Sequence, residues 1–89
     1  MNIAILLSTY NGGAYLKQQL NSLFNQSLIG KLSVFVRDDG SNDHTLNILR
    51  TYNVSLMPNN ENLGSKESFA TLLKYALTNS DADYFMFCD

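Results

Sequence analysis

Two carboxylates stand side by side at Asp38 and Asp39, followed by Gly40, Ser41 and a further acid at Asp43. Adjacent like charges repel, and Arg37 is the only cation beside them. They follow directly on the apolar run 32–36, so a segment that reads as a buried strand ends in groups needing water or a partner. The same succession occurs three more times. The run 3–7 gives way to Ser8, Thr9, Tyr10 and Asn11; residues 54–57 to Asn59, Asn60, Asn62 and Gly64; and residues 84–88 to Asp89. The chemistry open to such a set is nucleotide recognition. A carboxylate accepts from a base N–H or from ribose hydroxyls, a threonine hydroxyl adds one hydrogen bond, and a tyrosine ring stacks on a base. A carboxylate at the fourth strand end can hold a divalent cation against phosphate oxygens.

The elements that must position these residues follow from periodicity. Residues 3–7 are continuously apolar, as in a strand covered on both faces. Residues 32–36 are rich in β-branched and aromatic types, a short third strand over 54–57 stops at Pro58, and residues 84–88 form a fourth. Between them run helical stripes. Leu16, Leu20, Leu23, Phe24 and Leu28 line one face, with Lys17, Gln18, Gln19 and Asn21 opposite and Gly30 closing the unit. Leu46, Leu49 and Tyr52, with Ile48 beside them, mark a second helix, capped by Ser41, Asn42 or Asp43. Phe69, Leu72, Leu73, Ala76 and Leu77 mark a third, with Ser65 as its cap. Strand and helix alternate throughout, which predicts an α/β fold: a Rossmann-like parallel sheet of about four strands with helices on both faces. Right-handed crossovers make all strands point one way. Their carboxyl ends, with the polar residues that follow them, then share the rim where open α/β sheets bind ligands.

Composition narrows the class. The 89 residues suit one domain and are 45% hydrophobic, so the chain is globular. A formal net charge of −2 argues against nucleic acid as a partner. The single cysteine, Cys88, cannot found a disulfide framework and reads as a buried strand residue. The apolar run at 3–7 is too short to span a membrane and lacks the basic start of a signal peptide. These features lead us to expect a cytoplasmic protein, with the whole protein peripheral at the inner face of the plasma membrane. The sequence stops at Asp89, directly behind an apolar run. That pattern predicts a truncated domain with uncovered edges and a tendency to self-associate.

Three stretches carry a resemblance: residues 7–12 (LSTYNG), 37–45 (RDDGSNDHT) and 84–89 (YFMFCD), supported by 61–64 (ENLG). In order and spacing across residues 1–89 the chain resembles the amino-terminal half of family 2 glycosyltransferases of the GT-A fold. Bacterial rhamnosyl and other sugar transferases of capsule and O-antigen synthesis are the most similar in pattern. The resemblance implies that Thr9, Tyr10 and Asn11 line a uridine or thymidine pocket, and that Asp39 binds the base with Asp38 beside it. It implies that Asn62, Gly64 and Lys66 lie near the diphosphate, and that Asp89 is the first carboxylate of a DxD motif holding Mg2+ or Mn2+. The second acid of that motif and the catalytic base of an inverting enzyme are then expected beyond Asp89, so the 89 residues alone are expected to be inactive. The implied partners are a nucleotide-sugar donor, UDP- or dTDP-linked, and a glycan or lipid-linked acceptor.

Plainer readings stand beside these. Asp43 reads better as a helix cap than as a ligand contact, Lys66 as a solvated helix residue, and His44 as a surface residue of a first helical turn. Tyr10 either stacks on a base or packs on a neighbouring helix. Two other functions share the architecture. A nucleotidyltransferase usually opens with a glycine-rich basic loop after the first strand, and residues 8–13 contain no Arg or Lys. A receiver-like interaction module needs an acidic pair after the first strand and an Asp after the third; Thr9 and Tyr10 occupy the first place and Asn59 the second.

Overall fold

The computed structural model describes residues 2–25, 31–57 and 61–88. Seven elements alternate: β1 (Asn2–Thr9), α1 (Gly13–Phe24), β2 (Lys31–Asp38), α2 (Thr45–Leu49), β3 (Ser55–Leu56), α3 (Ser65–Asn79) and β4 (Tyr84–Cys88). The strands form one sheet in the order β3-β2-β1-β4, and every neighbouring pair is parallel. The continuous apolar run of β1 follows from its central place. Ile5 and Leu7 face one layer with Val34, Val36, Leu16, Leu20 and Leu49, so α1 and α2 cover that side. Ala4 and Leu6 face the other with Phe35, Leu72 and Ala76, so α3 covers the opposite side. Leu6, Leu20, Leu49 and Leu72 are fully buried, and cutting any one back to alanine would cost about 2–5 kcal/mol.

The expected α/β sandwich is therefore present, with several local differences. β2 runs on through Arg37 and Asp38 beyond the apolar stretch 32–36, because both polar side chains find partners inside the fold. β3 is two residues shorter than expected, and α2 is a five-residue helix, with Tyr52 beyond its end. Tyr52 stacks on Phe24 with ring centroids 6.1 Å apart and donates its hydroxyl proton to Asn21 Oδ1 at 2.7 Å. Ser65 does not cap α3. It is the first helical residue, and Gly64 holds the cap position at φ 84 and ψ 159 with no side-chain cap bond. The buried face of α3 is Ser68, Leu72 and Ala76 at intervals of four, while Leu77 is exposed. Leu28, Gly30, Pro58, Asn59 and Asn60 lie outside the described residues.

β4 forms where expected, but as an edge strand pairing β1 alone among the described residues. Tyr84, Met86 and Phe87 are each more than half exposed. Cys88 is half-buried and accepts from Gln19 Nε2 at 3.4 Å, where the sequence pattern led to full burial. None of the helices among the described residues is long and apolar enough to cross a membrane.

Candidate functional site

The register of β1 and β2 ends on the pair Thr9 and Asp38. Thr9 Oγ1 donates to Asp38 Oδ1 at 2.8 Å, and the Asp39 N–H donates to the Thr9 carbonyl at 2.7 Å. The two strands thus stay paired up to the rim. Beyond it the chain turns at Gly40, whose φ of 85 is a left-handed value that a Cβ would oppose. The turn brings Ser41 back onto Asp38. Its N–H donates to Oδ2 at 2.8 Å and its hydroxyl to Oδ1 at 2.6 Å. Asp38 is fully buried. With three donors on its carboxylate, it shapes the rim from beneath by holding Thr9 and Ser41.

The loop between β1 and α1 is tied to the loop between β2 and α2. Asn11 adopts a left-handed φ of 48; its N–H donates to Ser41 Oγ at 2.7 Å, and its Oδ1 accepts from the Asn42 N–H at 2.9 Å. The Gly12 N–H donates to Thr45 Oγ1 at 3.0 Å. Asp43 accepts from the Gly13 N–H at 3.1 Å and from both the N–H and the hydroxyl of Thr45. Asp43 therefore satisfies free donors at the starts of both α1 and α2, as its reading as a cap anticipated. The Thr45 hydroxyl and backbone, followed by the Gly13 N–H, hold its carboxyl below the ordinary aspartate range. Tyr10 is left at the rim, 55% exposed.

Asp39 is built differently. Oδ1 accepts from Arg37 Nη1 at 2.8 Å and from the Leu63 N–H at 2.7 Å, and Oδ2 accepts from the Gly64 N–H at 3.1 Å. A carboxylate has about four lone-pair positions, so these donors leave Oδ2 one acceptor position. The Asp39 side chain keeps 8% of its surface exposed. Burial pushes its pKa up. The Leu63 N–H, the Arg37 hydrogen bond, the Gly64 N–H and the Arg37 charge outweigh that effect, and the carboxyl sits below its ordinary value. Arg37 itself is fully buried. Its Nη1 also donates to Ser68 Oγ at 3.0 Å, its Nη2 donates to the Glu61 carbonyl at 2.6 Å, and Ser68 Oγ shares a 2.7 Å hydrogen bond with Ser8 Oγ. Asn62 lies between two anchored neighbours in that loop and is exposed, as is Lys66 in the first turn of α3.

The fold thus brings Thr9, Tyr10, Asn11, Asp38, Asp39 and the 61–64 loop to one rim. Ser41, expected among the polar residues behind β2, joins them by holding Asp38 and Asn11. Arg37 and Ser68 complete the arrangement, and sequence reasoning had not assigned them to it. Both had a legible signal. Arg37 is two residues from Phe35 and shares its apolar face, and Ser68 falls four residues before Leu72 on the buried stripe. A polar residue at each such position implies a partner.

A divalent metal fits no cluster of three or more Asp, Glu, His or Cys side chains among the described residues. Asp38 carries three protein donors, as Asp39 does, but unlike Asp39 it has no exposed surface, so it is closed to a ligand by burial. Asp89 lies outside the described residues; β4 ends at Cys88, opposite Leu7 and two positions from Thr9.

Known proteins resemble this chain in sequence and fold. The chain is 32% identical over 90 residues to the dTDP-rhamnosyl transferase RfbG of Shigella flexneri, a match covering 93% of this chain and 30% of that protein. The structure of S. aureus TarS 1-349 in complex with UDP superposes with a TM-score of 0.84 at 28% identity, covering 100% of this chain and 27% of that one. The mannosyltransferase PcManGT of Pyrobaculum calidifontis, solved with GDP-Man and Mn2+, matches with a TM-score of 0.74 over 83% of this chain and 24% of its own. At 24% identity that last likeness is one of fold. The chain spans 30% or less of the length of each of these relatives. The family model for glycosyl transferase family 2 matches residues 4–89, and the chain belongs to that family, with the sheet and helices of its GT-A fold.

Proposed function

We propose that the chain is the nucleotide-binding half of an inverting glycosyltransferase that moves a sugar from a UDP- or dTDP-sugar to a glycan or lipid-linked acceptor. The observation that carries this reading is the convergence of Thr9, Asp39 and the 61–64 loop on one rim, with Asp39 kept ionised and one oxygen still able to accept. An ionised acceptor inside a low-dielectric rim is suited to a base N–H, because a charge-assisted bond is shorter and stronger than a neutral one. Tyr10, next to Thr9 in the chain, supplies an exposed ring. Asn62 and Lys66 bring amide and ammonium groups toward the phosphates, Gly64 shapes the loop between them with its N–H on Asp39, and Asp38 acts through Thr9 and Ser41 rather than by direct contact. The UDP seen in TarS and the dTDP-rhamnosyl activity in the name of RfbG favour a pyrimidine nucleotide.

Our reading assigns a Mg2+ or Mn2+ ion to Asp89 together with residues beyond it. When bound, such an ion would offset charge on the departing diphosphate. The catalytic base and acceptor site belong to the remainder of the whole protein, so the 89 residues bind donor without turning it over. A cytoplasmic setting at the inner face of a membrane suits a lipid-linked acceptor.

Thermal unfolding with UDP or dTDP, each with and without MnCl2, tests the reading against acetyl phosphate with MgCl2. Ligand at one hundred times its Kd stabilises by about 2.7 kcal/mol. Stabilisation by either nucleotide and none by acetyl phosphate is expected; the reverse pattern would sink the proposal. Measurable sugar transfer by the 89 residues alone would overturn the claim that they are inactive.

A further inference from the structure

The guanidinium of Arg37 is the only charged group in the interior of the sheet's α3 side that is fully buried among the described residues, and its three partners come from three places. Nη1 reaches Asp39 at the end of β2 and Ser68 on α3, while Nη2 reaches the Glu61 carbonyl at the start of the loop into α3. Its Nε has no partner among the described residues. That cost, added to the desolvation of a buried ion pair, makes the arrangement a poor device for stability alone, since apolar residues of similar volume usually serve a core as well or better. What the guanidinium achieves is geometric. One planar fork fixes the loop at Glu61 while Asp39 fixes it at Leu63 and Gly64, so the exposed Asn62 is held between two clamps.

We propose that Arg37 is a positioning residue that locks the 61–64 loop onto Asp39, so that the base-facing carboxylate and the phosphate-facing loop close as one unit. The proposal rests on the reading of Asp39 as the nucleoside acceptor. It assigns Arg37 no contact with ligand. A lysine cannot substitute, because a point charge on a flexible stem cannot reach Asp39, Ser68 and the Glu61 carbonyl with a fixed fork.

The test is hydrogen exchange of the Leu63 and Gly64 amides by NMR, with UDP and dTDP titrations, in the 89-residue chain and its Arg37→Lys and Ser68→Ala variants. Signals from Leu6 and Leu72, in the core on the α3 side, report whether the fold persists. In Arg37→Lys with those core signals intact, the two amides are expected to lose protection by about tenfold or more, the scale of one lost hydrogen bond to a charged group. Nucleotide affinity should weaken with them. Ser68→Ala removes one of the three anchors and leaves Arg37 in place, so a smaller loss in the same two amides is expected even if Arg37→Lys fails to fold. Protection that survives in both variants, or that falls while nucleotide affinity stays at the wild-type value, overturns the lock. A wild-type chain with protected loop amides that binds neither nucleotide overturns the nucleoside reading of Asp39, and with it the purpose assigned to the lock.

Discussion

The hydroxyl of Thr9 donates to Asp38 Oδ1 at 2.8 Å across the last register pair of the two central strands, with both side chains buried. The residue that faces the rim is thus held by one that does not reach solvent. Thr9→Val keeps the shape and removes the donor. Asp38 keeps its two bonds from Ser41, so the cost should lie within the range of about 1–3 kcal/mol for an under-satisfied buried acceptor. Thr9→Ser keeps the hydroxyl and should lose much less. Urea midpoints at constant m-value check the pair; equal midpoints for the two variants would show that the hydroxyl contributes nothing.

Gly64 sits at φ 84 and ψ 159, a region open almost only to glycine, and its N–H donates to Asp39. A Cβ there meets no heavy atom of the described residues within 4 Å, so the cost of Gly64→Ala is expected from backbone strain and not from a clash. That strain should cost about 1–3 kcal/mol or move the loop off Asp39. Gly12 has equally open space at φ −95, and Gly12→Ala should be neutral within about 0.5 kcal/mol. Parallel denaturation curves, with UDP titrations of each, separate the two; a Gly64→Ala chain that matches Gly12→Ala in both would refute the strain argument.

The rim was legible in the sequence because apolar runs and the polar clusters behind them are local patterns. Four strands, three helices and the placing of Thr9, Asp39 and Gly64 on one edge follow from periodicity and the handedness of crossovers. The internal wiring was not. Asp38 and Asp39 are neighbours with similar local chemistry, yet one is closed off by Ser41 and Thr9 while the other is gripped by Arg37 and the 61–64 loop. That division depends on which face of β2 each side chain takes and on contacts up to 29 residues apart, which no local window contains. Ser65 misled for the same reason. Helix-cap statistics favoured it, but the loop's attachment to Asp39 moves the cap position to Gly64, where a positive φ is needed.

Asp39 also sets an acid limit. Its carboxyl titrates lower in the folded chain than in the unfolded chain, where the ordinary value is about 3.9. Its contribution to stability is therefore complete above that value and is lost as pH falls through the lower folded value. Asp39→Asn removes the charge at every pH and leaves Arg37 buried without a counter-ion, a change of about 3–5 kcal/mol in comparable sites. The wild-type chain should lose stability steeply below pH 4 while the variant, already weakened, should show a flatter acid limb. Urea midpoints from pH 7 to pH 3 give both curves, and parallel curves would remove Asp39 from the account of acid unfolding.

β4 offers the last prediction. An edge strand exposes unpaired backbone N–H and C=O groups, and this one also exposes Tyr84, Met86 and Phe87 by more than half each. Edge strands are normally protected by charge, proline or a covering element, and residues 84–88 carry neither a charge nor a proline. We propose that the 89-residue chain pairs with itself through this edge, and that Met86→Lys suppresses the pairing by placing a charge on an already exposed position. Because Met86 packs in neither buried cluster, the substitution should leave the unfolding midpoint of the monomer within about 0.5 kcal/mol. Sedimentation across a hundredfold concentration range should show concentration-dependent association for the wild type and a monomer for the variant. A wild-type chain that stays monomeric throughout would mean that the exposed aromatic edge is not an association surface.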